Sequence, residues 1–111
     1  MAGALRELEE ETGFAGAGIE RLYNLDQVNQ FYEPSVEGIL TAAIFAVRVP
    51  PGSEPRLSHE HDDLRWLGPA EALDMAVWPA YRESIRRIAA DLVDPARAAW
   101  FELDQRGARP G

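Results

Sequence analysis

Cysteine is absent from the 111 residues, which excludes disulfides, thiolate metal sites and cysteine nucleophiles. Histidine is scarce, with only two, so any metal here must be held by oxygen or imidazole, and mostly by oxygen. No apolar run approaches the ~18 to 20 residues of a membrane span. Nothing near Met1 has the basic-then-apolar order of a signal peptide, so the chain reads as cytoplasmic, with no membrane partner. Basic clusters are missing too: eleven arginines, with no lysine, stand against nineteen acids, for a formal charge of −8. That balance lacks the basic footprint that duplex nucleic acid requires. A phosphorylated small molecule remains compatible, provided divalent cations sit between the two sets of negative charge.

What is present is globular. Apolar residues make up 46 % of the chain, enough to bury one core, and the length suits a single domain over residues 1–103 with a disordered tail over 104–111. Residues 1–12 predict a helix, ended by Gly13 as the glycine after its last turn. "GFAGAG" is a flexible connection, 19–32 predicts one or two strands, and "EPSVEG" a turn. "ILTAAIFAVRV", 39–49, is nearly continuous in apolar residues and predicts a strand central in a sheet. "PPGSEP" is an exposed hairpin-like connection, followed by a short strand around 63–67. Pro69 starts a short helix to Met75, and Pro79 opens another, in which Tyr81, Ile85, Ile88 and Leu92 recur at helical spacing as a buried face. Asp94 followed by Pro95 caps a last helix to about Leu103. Tyr23, Phe45 and Trp66 are expected in the core.

The densest feature is "RELEEETGF", 6–14. At about 100° per residue, with Glu7 at zero, Glu11 falls near +40° and Glu10 near −60°, so the three share one arc. Met1, Ala4, Leu5, Leu8 and Thr12 fall beside that arc, and Glu9 points away. Carboxylates at i, i+3 and i+4 repel by a few tenths of a kcal/mol per pair. Those near the helix C-terminus also oppose the macrodipole. Divalent cations on oxygen ligands would reverse the sign of both effects. The competing explanation is an ordinary solvated face.

The spacing is narrower than that explanation needs. Arg6, Glu7, Leu8, Glu10, Glu11, Gly13 and Phe14 match arginine, glutamate, apolar, any, glutamate, glutamate, any, glycine, apolar without a mismatch. This resembles the second half of the Nudix box, the signature of the Nudix hydrolases. The resemblance implies an α/β fold, an α/β/α sandwich around a mixed sheet, and hydrolysis of a nucleoside diphosphate linked to another group. It implies that Glu10 and Glu11 are the principal ligands of Mg²⁺ or Mn²⁺, that Glu7 binds metal or helps activate water, and that Arg6 orients those glutamates.

A looser similarity lies further on. "HEHDDLRWL", 59–67, then "PAEALDM" and "WPAYRESIRRI", is similar to the C-terminal half of the dATP or dihydroneopterin triphosphate pyrophosphohydrolase group. There, a glutamate before a strand ending in Trp-Leu supplies a further metal ligand, and Glu60 matches it. The implied reaction cleaves a nucleoside or pterin triphosphate to monophosphate and pyrophosphate, with Glu7 or Glu60 as the general base. Two rivals remain: a different Nudix substrate, such as a dinucleotide or nucleotide sugar, and a non-catalytic Nudix-derived binding or assembly module. The first half of the box and the strands before it would fall ahead of Met1, so the domain is expected to be N-terminally truncated. An uncovered sheet edge of that kind favours a homodimer.

Other residues have plainer readings. His59 and His61 would share a strand face, yet without thiolates they read as polar loop residues flanking Glu60 rather than a zinc site. Asp62 and Asp63 read as solvated. Trp78 is suited to stacking on a base, but before Pro79 it reads as packing beneath a helix start, and Phe31 and Tyr32 divide the same way.

Overall fold

A computed structural model of the chain describes residues 2–56 and 66–109. Its elements are α1 (Ala2–Thr12), β1 (Arg21–Glu33), β2 (Gly38–Arg48), α2 (Pro69–Met75), α3 (Pro79–Arg87), α4 (Pro95–Phe101) and β3 (Glu102–Leu103). Short 3₁₀ turns occupy Gly16–Gly18 and Pro34–Val36, and a π-helical turn, Ile88–Leu92, extends α3. Helices and a small sheet of order β2-β1-β3 make the chain an α/β protein, as expected. The β1–β3 pair is antiparallel, with Leu22 opposite Leu103 and Tyr23 opposite Glu102.

Two compact units divide the chain: Met1–Tyr23, Val47–Trp66 and Glu102–Gly111 form one, Asn24–Ala46 and Leu67–Phe101 the other. In the first, Ile19, Leu22 and Tyr23 are buried. Two ion pairs tie its strand ends, Arg21 to Glu102 at 3.2 Å and Arg48 to Glu20 at 3.1 Å, the latter beside the hydrogen bond from the Glu20 N–H to the Arg48 carbonyl. After β3, the chain turns on Asp104. Its carboxylate accepts from the N–H groups of Arg106 and Ala108, and the Gly107 N–H donates to the Asp104 carbonyl.

In the second unit, Leu25 and Ala98 are the buried apolar residues and Ser84 the buried polar one. Asp26 takes a left-handed φ of 52°, uncommon for a residue with a Cβ. Its N–H is held by the Asn24 side chain at 2.9 Å, and the Arg87 guanidinium donates to the carbonyls of Leu25 and Asp26 at 2.7 and 2.8 Å. One arginine from α3 thus closes two carbonyls where β1 departs from regular geometry. Charge-assisted hydrogen bonds of this kind are about twice as strong as neutral ones.

Local signals placed the helices well. Pro69 and Pro79 each sit in a first helical turn, and the Asp94 carboxylate accepts from the Ala96 N–H at 3.0 Å to start α4, which ends at Phe101. Three expectations need correction. The inward face of α3 is not the Tyr81, Ile85, Ile88, Leu92 stripe: Tyr81 and Ile88 are exposed, and Ser84 is the buried residue. Arg87 must reach the β1 carbonyls, which turns the Ser84–Arg87 side of the helix inward. Next, β2 is not central among the described strands. It lies at the end of the order, with residues 39–43 exposed. A run apolar on both faces signals either double burial or a strand left uncovered, and periodicity alone does not separate them.

Trp66 is the third correction, 60 % exposed rather than core. The adjoining loop closes on itself, the Pro50 carbonyl accepting from both the Ser53 N–H and its hydroxyl. It leaves beside the indole a cavity of about 280 Å³. Of the strand expected around 63–67, residues 63–65 lie outside the described residues, and Trp66 and Leu67 are irregular. Tyr23 is buried as expected, and Phe45 is half-buried.

Candidate functional site

α1 carries the predicted site. No residue of this helix is fully buried; Leu5, Leu8 and Thr12 are half-buried and Glu7, Glu9, Glu10 and Glu11 exposed, which is the amphipathic division its sequence implies. The helix therefore rests lightly on one side and leaves its carboxylates to solvent. Arg6 reaches Glu10 at 3.9 Å, with both side chains about two-thirds or more exposed. An exposed pair at that distance contributes little to stability, about 0.3 kcal/mol. Its effect is to bias where the Glu10 carboxylate points.

The C-terminal end of α1 is built more firmly. Gly13 has φ 79° and donates its N–H to the Glu9 carbonyl at 2.8 Å. The Thr12 hydroxyl donates to the Leu8 carbonyl at 2.6 Å and accepts from the Phe14 N–H. Sequence reasoning found the glycine but not its neighbour: the Arg56 N–H donates to the Thr12 carbonyl at 2.7 Å, and the arginine side chain folds over Gly13. A Cβ added at Gly13 would lie 3.4 Å from the Arg56 Cβ and about as near its guanidinium. A cation here sits favourably against the macrodipole. No local signal links positions 43 residues apart, so only the fold could bring Arg56 to this end of the helix.

The donors fit a hard divalent cation by type, being carboxylate oxygens with solvent access. Among the described residues, however, no three of His, Asp and Glu stand together closely enough to hold one ion. Glu60, with His59, His61, Asp62 and Asp63, lies outside the described residues.

The other unit contains an open cleft of about 1160 Å³ between β1 and α3. Phe31, Tyr32, Trp78 and Tyr81 line it, and the Asn29 amide lies 3.5 Å from the Tyr81 hydroxyl. Trp78 is 64 % exposed at the start of α3, so it does not pack beneath the helix as its place before Pro79 suggests. Arg82, also on the wall, donates to the Leu73 and Ala76 carbonyls and thereby closes the end of α2.

Comparison with known proteins supplies the class to which this α/β chain with its glutamate-edged helix belongs. Residues 1–88 match the NUDIX domain family, and the chain belongs to it. Proteins of this family are in general hydrolases of nucleotide diphosphate linkages that use divalent metal. Over 89 residues the chain is 36 % identical to an octanoyltransferase of Myxococcus xanthus, an alignment that takes in 78 % of this chain and 24 % of that protein. The chain thus spans about a quarter of the relative's length. No solved structure matches. Among the described residues, no helix is long and apolar enough to cross a membrane.

Proposed function

We propose that residues 1–103 act as one Nudix-type domain, hydrolysing a nucleoside or pterin triphosphate to monophosphate and pyrophosphate with Mg²⁺ or Mn²⁺. The observation that carries this reading is the α1 edge: exposed glutamates on a helix whose apolar side is half-buried and whose end is fixed at Gly13. Glu7, Glu10 and Glu11, with Glu60, would hold the metal. Divalent cations bound there would neutralise phosphate oxygens and make the attacking water more acidic. Arg6 keeps the Glu10 carboxylate on the working side of the helix. Glu7 or Glu60 would serve as the base toward the attacking water. Solvent access along α1 lets a triphosphate approach without rearrangement of the helix.

A second reading, a Nudix-derived binding or assembly module, is favoured by the relative, in which the matched segment is a minor part of a longer transferase. One pair of measurements separates them: calorimetric titration with Mn²⁺, and pyrophosphate release from a panel of nucleotide and pterin triphosphates. The hydrolase reading expects saturable metal binding and turnover of at least one triphosphate. Saturable binding with no turnover of any of them would favour the module, and no metal binding at all would remove both the site and the reaction.

A further inference from the structure

We infer that the cleft between β1 and α3 binds a planar bicyclic heteroaromatic ring, a purine or a pterin, which stacks on its aromatic side chains and pairs with its carboxamides. Every residue that lines the cleft belongs to one compact unit, that of Asn24–Ala46 and Leu67–Phe101. Alternation along a strand puts Gln27, Asn29 and Phe31 on one face of β1. The Asn29 amide, 3.5 Å from the Tyr81 hydroxyl, marks that face as the one turned to α3. Opposite it, Trp78 and Tyr81 stand at i and i+3 at the start of α3, neighbours on one side of the helix. The two amides, Gln27 and Asn29, are half-buried, whereas Phe31, Trp78 and Tyr81 are 41, 64 and 46 % exposed.

That combination selects a ring with a polar edge. Aromatic faces stack on any base, because every base has a π-face. A carboxamide presents a donor beside an acceptor, so it pairs twice with a ring edge that carries an acceptor beside a donor, as asparagine and glutamine do with adenine. A hydrocarbon ligand would leave both amides unpaired, and a sugar alone would leave the aromatics uncovered. The contact between Asn29 and Tyr81 is at the long limit of a hydrogen bond, so little is lost when a ligand replaces it. Small-molecule sites usually have about 300 to 1,000 Å³. At about 1160 Å³ this cleft has room for two fused rings and an attached sugar. The choice of purine or pterin rests on the hydrolase reading above, but the stacking and the amide pairing do not, and neither metal nor phosphate enters them.

The test is an NMR titration of the isotope-labelled, metal-free chain with adenosine, with pterin and with ribose. The Trp78 indole and the Gln27 and Asn29 carboxamide signals are expected to shift together and saturate with adenosine or pterin, the tighter binder identifying the ring, while ribose leaves them in place. Purine riboside, which lacks the amino donor of adenosine, is expected to bind about tenfold more weakly than adenosine. Trp78→Ala should weaken the preferred ring by about tenfold, and Trp78→Phe by much less, because a stacking face remains. Recovery in the phenylalanine variant separates lost stacking from lost folding. Asn29→Ala should also cost about tenfold, with circular dichroism unchanged. The proposal is overturned by the absence of a saturable shift with either ring, by equal shifts at the exposed indoles of Trp66 and Trp100, or by an affinity indifferent to both Trp78→Ala and Asn29→Ala. A ring that binds here while every triphosphate goes unhydrolysed would remove the hydrolase reading and leave the cleft standing.

Discussion

α1 and α3 are both charged helices, and they treat charge in opposite ways. On α3, Arg82 and Arg87 are committed to backbone carbonyls, and Arg86 and Arg87 also meet Glu83 at 3.7 and 3.5 Å. On α1, four glutamates crowd a single turn and a half, and among the described residues one long ion pair, Arg6 to Glu10, engages them. Charge that holds a fold together finds partners within that fold. Charge left without them, at a local cost in repulsion, is charge available to something from outside.

The sharpest way to break this contrast is to neutralise each helix in turn. Glu10→Gln or Glu11→Gln is expected to lower pyrophosphate release by about a hundredfold or more, since even residues that merely orient a metal ligand cost 10- to 100-fold when lost. The metal-free melting temperature should stay level or rise slightly, because like-charge repulsion is relieved. A clear fall in apo stability in both variants would make these glutamates structural and erase the difference between the helices. Arg87→Ala should behave in the opposite sense. It strips two charge-assisted hydrogen bonds, one from the part-buried Leu25 carbonyl and one from the exposed Asp26 carbonyl, for an expected loss of about 2 kcal/mol in denaturant unfolding. Mn²⁺ binding at α1 should be unchanged.

A smaller effect sharpens the picture at the end of α1. Gly13→Ala introduces a Cβ at φ 79°, in ordinary van der Waals contact with the Arg56 Cβ at 3.4 Å. The expected cost is about 1 to 2 kcal/mol, most of it from the left-handed backbone. Pairing it with Arg56→Ala, which removes the guanidinium but keeps the Cβ, should recover little of that cost. Full recovery in the double variant would mean that crowding, not φ, is what demands glycine there.

These cases also show what was legible in the sequence. α1, α2, the start of α3 and the cap of α4 are read from residues within four positions of one another: Gly13, Pro69, Pro79, Asp94. Short-range chemistry leaves short-range marks. The amphipathic division of α1 follows from its wheel for the same reason. Arg87 closing the carbonyls of Leu25 and Asp26, 61 or more residues away, leaves no such mark, and neither does Arg56 over Gly13. Trp66 and β2 differ from expectation for one reason: an aromatic and an apolar run both predict core, although hydrophobicity says only that a group gains from cover, not that the described residues supply it. Of the site, the motif placed Glu7, Glu10 and Glu11 on one exposed helix edge, while the ligand set itself depends on distances that spacing does not encode.

The smallest expected effect concerns Asp104, an acid treated in the manner of α3 though it belongs to the same unit as α1. The Ala108 N–H does most to hold its carboxyl below the usual carboxylate range, against an opposing effect of desolvation, and the N–H groups of Arg106 and Gly107 and the Arg106 charge add to it. A depressed folded-state pKa means that the ionised turn is favoured above the ordinary carboxylate pKa. That contribution disappears as pH falls through the lower, folded-state value. Near neutrality the turn should therefore be fully formed. On acidification, the Arg106 and Ala108 amide resonances should move together, with one midpoint below that of a free aspartate. Asp104→Asn keeps an acceptor oxygen but not the charge, so its two amides should show no such midpoint and exchange faster at neutral pH. If the native midpoint instead coincides with that of an unstructured aspartate, the hydrogen bonds to Asp104 do not favour its ionised form. The contrast between acids held by backbone and acids left to solvent would then rest on α1 and α3 alone.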